Sequence, residues 1–309
     1  MANDVLLECV PNFSAGRDGA LLDALASAVR GVAGAVLLDH SRDPDHNRSV
    51  LTFAGGPDAV VQAACAAARV ATARIDLSRH EGVHPRMGAT DVVPVVPLSG
   101  RDRAAAIAAA HAIGTQLGDA LRIPVFYYGA AAPGEGERTL PAVRRGGFEA
   151  LRAAIGSDPG RVPDAGPTDA IHPTAGATAV GVRPFLVAFN VDLDADDLAA
   201  AKAIAAEVRE SNGGLPGIRA LGLALPERGV AQVSLNVVDH ERTGLVRVFE
   251  RIEALARERG IGIRSSELIG LAPAAALDAS IAARVRLAEF DPERHVLERR
   301  LESALRATR

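Results

Sequence analysis

Tryptophan is absent, and all aromatic residues together make up only 3% of the 309-residue chain. The core must therefore be built from Ala, Val, Leu and Ile. Cysteine is as scarce: Cys9 and Cys65 lie far apart, fit no paired metal spacing and suit a reducing compartment. No apolar run is long enough to span a bilayer. The N-terminus, with Asp4, Glu8 and Pro11, lacks the basic and apolar regions of a secretory leader. A net charge of −4 without a basic tail argues against nucleic acid as the main partner. These absences leave a soluble cytoplasmic protein as the expectation. Apolar residues make up 48%, enough for a real core, and the length suits two domains.

The most informative stretch is H-E-G-V-H-P-R-M-G-A-T-D-V-V-P-V-V-P, residues 80–97. Gly82 and Pro85 flank His84, so its imidazole belongs on a loop braced by proline rather than by helix hydrogen bonds. Asp91–Leu98, rich in valine, reads as a buried strand despite its prolines. A histidine, an arginine and an acid at the mouth of such a strand suit proton transfer to a charged substrate.

The same order of elements is read twice. Strands are predicted at Val5–Val10, Ala35–Asp39, Arg48–Phe53 and Asp91–Leu98, with helices at Gly19–Val32 and Asp58–Ile75. A further helix, Arg103–Leu121, and the strand Val125–Tyr128 extend this half. The second half has strands at Phe185–Leu193, Ala220–Ala224, Ala231–Val238 and Gly262–Leu268, with helices at Asp196–Glu210 and Leu245–Arg259. Asp194 or a near neighbour is the expected cap of the first of these helices. Asp291–Leu305 is read as one closing helix. The expected fold class is α/β (α+β), two tandem ferredoxin-like β-α-β-β-α-β subdomains over 1–184 and 185–309. A Gly/Pro-rich connection, Gly156–Gly181, is expected between them, with a ligand cleft there.

Nine segments in order resemble the formiminotransferase (glutamate formimidoyltransferase) family. They are Glu8–Arg17, Asn47–Phe53, His84–Asp91, Val125–Gly129, Gly176–Arg183, Phe185–Asn190, Gly214–Gly217, Ala231–Asn236 and Glu267–Pro273. The resemblance implies transfer of a formimino group from N-formimino-L-glutamate to tetrahydrofolate, a late step of histidine breakdown. It implies tetrahydrofolate as co-substrate, a folate channel between the subdomains, a homodimer and a separate cyclodeaminase for the product. It makes His84, in the H-P-R motif, the catalytic base, since an imidazole both takes and returns a proton near neutral pH.

The remaining assignments are expectations about the pocket. Arg48, Arg86 and Arg183 are candidates for the substrate carboxylates, with salt bridges as the alternative; the pair Arg144-Arg145 is a weaker candidate. His80, four residues before His84, is expected to orient it or line the pocket. Gly82 argues against the helix that an i, i+4 zinc pair needs, so no metal is expected. Asp91 is expected to fix the imidazole or cap the strand. The segment Gly166–Gly176, with Pro167, His172 and Pro173, matches the family's folate-binding stretch, and its amides are expected to be free for a flat ring. Val83 and Ser41 stand where vertebrate members carry acids. Competing readings are a folate one-carbon transferase or cyclase acting on 5-formyltetrahydrofolate, a non-catalytic folate-binding protein, and a metal-dependent hydrolase using His80, His84 and Asp91.

Overall fold

The computed structural model describes residues 5–134 and 138–307; Asp4, counted above against a leader, lies outside them. The chain divides into two compact units, Met1–Pro184 and Phe185–Arg309.

In unit one the elements run β1 (Leu7–Cys9), β2 (Asn12–Phe13), α1 (Gly19–Arg30), β3 (Ala35–Asp43), β4 (Arg48–Gly55), α2 (Pro57–Arg74) and β5 (Thr90–Pro97). They continue with α3 (Arg103–Leu121), β6 (Val125–Gly129), α4 (Leu140–Val143), α5 (Gly147–Ala154) and β7 (Thr178–Val182). Both β1 and β2 pair antiparallel with β4 and with β5, so they are parts of one strand interrupted at Val10-Pro11. Pro11 has no N–H to give the ladder there, while its carbonyl still accepts from Leu51 N at 3.1 Å. β3 extends the sheet beyond β4. On the other side β7 lies between β5 and β6, parallel to both.

Side-chain alternation decides which face is covered. Leu7, Cys9, Leu51, Phe53, Val93 and Val95 turn into a core shared with Leu25, Val60, Ala64, Ala67 and Ile113 of the helices. With no tryptophan and few large rings, this core closes by helix approach: the buried faces of α2 and α3 are largely alanine. At Gly114 a Cβ would fall 2.2 Å from the Tyr127 hydroxyl, so glycine lets that ring lie against α3. Alternation turns Glu8, Asn12, Arg48, Thr52 and Tyr128 to the opposite face.

Unit two contains β8 (Val187–Leu193), α6 (Leu198–Val208), β9 (Ile218–Leu225), β10 (Val230–Val237), α7 (Leu245–Glu258) and β11 (Ile263–Ile269). Three shorter helices follow: α8 (Ala279–Arg284), α9 (Pro292–His295) and α10 (Leu297–Ala307). Its four strands are antiparallel in the order β11-β8-β10-β9. Phe189, Val191, Val233, Leu235, Ile204, Phe249 and Ile252 fill the core. Asp197 caps α6, its carboxylate accepting from Ala200 N at 2.9 Å.

Two expectations fail. The segment Gly156–Gly181 does not run as a connection throughout, because its end, from Thr178, belongs to β7, completely buried between two neighbours. Its small and β-branched residues fit a strand held on both sides, a signal masked by the glycines and prolines before it. The closing helix is also broken: Val296 is extended and pairs with Ala272, separating α9 from α10.

Candidate active site in unit one

His84 sits on an irregular loop between a short helical turn, Leu77–Arg79, and β5. Two glycines let this loop come close to its neighbours. A Cβ on Gly82 would lie 2.6 Å from His46 O, in the β3–β4 turn, and one on Gly88 would lie 2.0 Å from Ala177 O. Ser14 Oγ donates to Gly88 O at 2.7 Å, and Met87 N donates to Asp91 Oδ1 at 2.7 Å. The loop is pinned at both ends.

The β3–β4 turn supplies the facing wall. It closes on Asn47, whose φ of +45° is tolerated by asparagine because its side chain bonds locally. Asn47 Oδ1 accepts from Gly16 N at 2.9 Å, and Nδ2 donates to Glu81 O at 2.8 Å. Arg48, next in the chain, points across the sheet with Nε donating to Asn12 Oδ1 at 2.9 Å. Its Nη1 lies against the His84 ring, 2.6 Å from Nδ1 and still closer to Nε2.

These partners fix the proton on the imidazole. His84 Nδ1 is 2.8 Å from the Pro85 carbonyl, which only accepts, so Nδ1 carries the hydrogen and Nε2 keeps its lone pair. Arg144 closes the ring of charge: Nη2 donates to Asp91 Oδ2 at 2.6 Å and to Pro85 O, and lies 3.5 Å from His84 Nδ1. Burial, then Arg48, then Arg144 hold the His84 pKa well below the usual histidine value. Burial and Arg144 push the Arg48 guanidinium down to about 9, so it stays cationic at neutral pH. The result is a neutral base with cations around it.

The space in front is lined by Phe13, His46, Arg48, His80, His84 and Asp91 among others. Sequence comparison covers the same residues. A model of the formiminotransferase domain's N-terminal subdomain matches residues 6–183, and a model of the formiminotransferase domain matches 188–298. The chain belongs to the formiminotransferase family. It is 40% identical to a glutamate formimidoyltransferase of Streptococcus pyogenes over 96% of this chain and 98% of that one. A glutamate formimidoyltransferase of Thermoplasma acidophilum is 36% identical, over 97% of this chain and 98% of that one. The formimidoyltransferase-cyclodeaminase of Sus scrofa is 43% identical over 88% of this chain and 51% of its own length, so the chain spans about half of that relative.

Several of the expected site assignments change in detail. Arg86 does not hold a free fork: Nη1 and Nη2 donate to Glu149 at 3.1 and 2.8 Å, and Nε donates to His80 Nδ1 at 3.0 Å. His80 Nε2 therefore carries the hydrogen and donates to Asn47 O at 3.0 Å, leaving neither ring nitrogen open to a metal. Both Asp91 oxygens are taken, by Met87 N and Arg144, so Asp91 braces the loop and holds a cation rather than gripping the imidazole. Arg183 is not part of this pocket; it is buried beside Glu8 and Tyr128, with Nη1 donating to Pro184 O at 3.0 Å.

In the Gly166–Gly176 segment, expected to offer free amides, those of His172, Thr174, Ala175 and Gly176 are occupied. His172 N and Gly176 N bond each other's carbonyls at 3.0 and 2.9 Å, and His172 Nδ1 accepts from Ala175 N at 3.0 Å. A Cβ on Gly166 would lie 2.5 Å from Ile123 O, so this glycine serves packing against the end of α3. Pro167 and Pro173 lie in the same turn-rich stretch, outside the pocket lining. Its far end holds the His84 loop: Ala89 N donates to Ala175 O at 2.8 Å, and Ala177 N to Met87 O at 3.0 Å. Asn12, Glu149 and above all Arg144 were missed or underweighted. Arg144 is 53 residues from its partner Asp91 and carried no local signal beyond the doubled arginine before Gly146-Gly147.

Proposed function

We propose that this chain moves a formimino group from N-formimino-L-glutamate to tetrahydrofolate, with His84 as general base. The observation that carries the reading is an imidazole with Nδ1 on the Pro85 carbonyl, set between two guanidinium groups in a small pocket. The near full-length relative from S. pyogenes, named a glutamate formimidoyltransferase, supports the reaction. The antiparallel order β11-β8-β10-β9 of unit two, and the antiparallel part of the mixed unit-one sheet, in which β1 and β2 lie between β4 and β5 with β3 beyond β4, support the ferredoxin-like reading of both units.

In this reaction N5 of the folate attacks the formimino carbon, forming a C–N bond, while His84 Nε2 takes the N5 proton. The tetrahedral intermediate then breaks its other C–N bond. His84, cationic among cations and hence a strong acid, gives the proton to the departing glutamate nitrogen. Arg48 covers Nε2, and the ring is released when that guanidinium turns to a substrate carboxylate. Arg144 presents a second opening, because its Nε is buried without a partner. Arg86, Asp91 and His80 position these groups.

The test is a donor assay with tetrahydrofolate as acceptor, following the folate absorbance. Formiminoglutamate should be turned over and 5-formyltetrahydrofolate should not. Turnover of the formyl compound alone would replace this reading with cyclisation or formyl transfer.

A further inference from the structure

Arg17, Arg48, Arg86 and Arg144 all act on residues that line the His84 pocket, but they differ in what their guanidinium groups have free. Arg48 is engaged with Asn12 and His84, and Arg86 with Glu149 and His80. Arg144 is engaged with Asp91 and the Pro85 carbonyl, and its remaining Nε is buried. Arg17 donates through Nε alone, to Pro44 O at 3.0 Å, and its two Nη groups meet no partner among the described residues. The residue is exposed. Its fork is open to a ligand.

The chain fixes where this fork stands. Gly16 N donates to Asn47 Oδ1 at 2.9 Å, Gly16 O accepts from Arg42 Nη1 at 3.0 Å, and a Cβ on Gly16 would lie 2.5 Å from Arg48 N. On the other side Asp18 caps α1, its carboxylate accepting from Leu21 N at 2.9 Å. Arg17 is thus held between a helix cap and the β3–β4 turn, with its own Nε on that turn. The next residues of the turn, His46, Asn47 and Arg48, line the pocket, as does His80, which donates to Asn47 O. Burial first, then the charges of Arg86 and Arg17, hold the His80 pKa below the usual histidine value, so the Arg17 charge is felt inside the pocket wall. An exposed guanidinium with two free nitrogens suits a carboxylate, which it can grip bidentately.

We propose that Arg17 holds the side-chain carboxylate of the amino-acid donor and so selects glutamate among formimino amino acids. The inference rests on the formimino-transfer reading above. The transferred group sits on the α-nitrogen, beside the α-carboxylate; the second carboxylate lies three bonds beyond the α-carbon. With the formimino carbon at His84, the first carboxylate falls to Arg48 and the second extends outward to the rim. The folate tail is separated from N5 by a benzoyl ring, so its carboxylates lie farther from His84 than either of the donor's. An amide in place of the side-chain carboxylate offers one acceptor and no charge, and the Arg17 fork is then half used.

Steady-state kinetics of the full chain test this, with tetrahydrofolate saturating and N-formimino-L-glutamate compared with N-formimino-L-glutamine. The second donor keeps the shape of the first and replaces the side-chain carboxylate by an amide. The wild type should favour the glutamate compound by about tenfold in kcat/KM. Arg17→Gln should raise KM for that compound about tenfold with kcat within about twofold, and should leave the glutamine compound as it was. Added salt should weaken the glutamate compound in the wild type more than in Arg17→Gln. Equal losses for both donors, or an unchanged KM for the glutamate compound, would overturn the inference. So would a rise confined to the KM of a polyglutamylated tetrahydrofolate, which would put the folate tail on Arg17 instead. If Arg17→Gln does not fold, Arg17→Lys, which keeps the charge and loses the fork, must show a smaller loss for the glutamate compound alone. Wild-type turnover of formiminoglutamate without this coupling sinks the inference alone; no turnover of either donor sinks the formimino-transfer reading with it.

Discussion

His84 gains its character from what surrounds it. Desolvation disfavours the imidazolium, and Arg48 and Arg144 disfavour it further, so the folded protein holds the ring neutral below the pH at which a free histidine takes its proton. The acid limb of kcat/KM against pH should therefore lie below 6.5. Arg144→Met removes one cation and leaves the Asp91 carboxylate without its partner, and both changes favour the charged imidazole. Its acid limb should move to higher pH; an unmoved limb would mean that His84 is not the group being titrated. These partners were only partly readable beforehand. Arg48 and His84 stand in motifs, whereas Arg144 meets Asp91 only because α4 and α5 bring the chain back past the loop. For Arg86 the salt-bridge alternative holds, although its sequence neighbours give no sign of Glu149, which is 63 residues away.

At the level of elements, the site depends on how closely the His84 loop can approach β7. Gly88→Ala would drive a methyl into Ala177 O and Thr90 O, both backbone atoms that cannot turn aside. A loss of about 2–3 kcal/mol is expected, with turnover falling as the loop shifts. Gly100→Ala meets nothing within 4 Å and should be neutral or slightly stabilising. Urea denaturation of both variants checks the contrast, and equal stabilities would contradict the account. The alanine-rich helices were legible because their period and length agree; α3 has the ends predicted for it. β7 was hidden because a short buried strand following a glycine- and proline-rich stretch has no alternation to betray it. The break at Val296 was hidden too, since its pairing partner Ala272 is distant in sequence.

For the molecule as a whole, pH acts on stability through a group outside the pocket. Glu8 is buried on the sheet face opposite the unit-one core, and burial raises its pKa to about 7, with Arg183 opposing. An unfolded chain releases this proton near pH 4.5, so the group's contribution to folding is lost as pH rises from there towards 7. Glu8→Gln should therefore gain on the wild type over that range, reaching about 3 kcal/mol by pH 8. Denaturation midpoints at pH 5 and pH 8 would measure it; a gain no larger at pH 8 would contradict a buried, reluctantly ionised Glu8. The twofold order of elements could be read from hydrophobic period and turn residues. The polar networks on the sheet faces turned away from the cores could not, because they join residues from several strands at once.

The central claim is that a neutral His84 moves the proton between folate and glutamate nitrogens. The most direct measurement is turnover of formiminoglutamate and tetrahydrofolate by His84→Ala, with tetrahydrofolate binding followed in parallel. The account predicts a loss of ~10²–10⁴ in kcat with folate binding retained. Turnover within a few-fold of the wild type would contradict it.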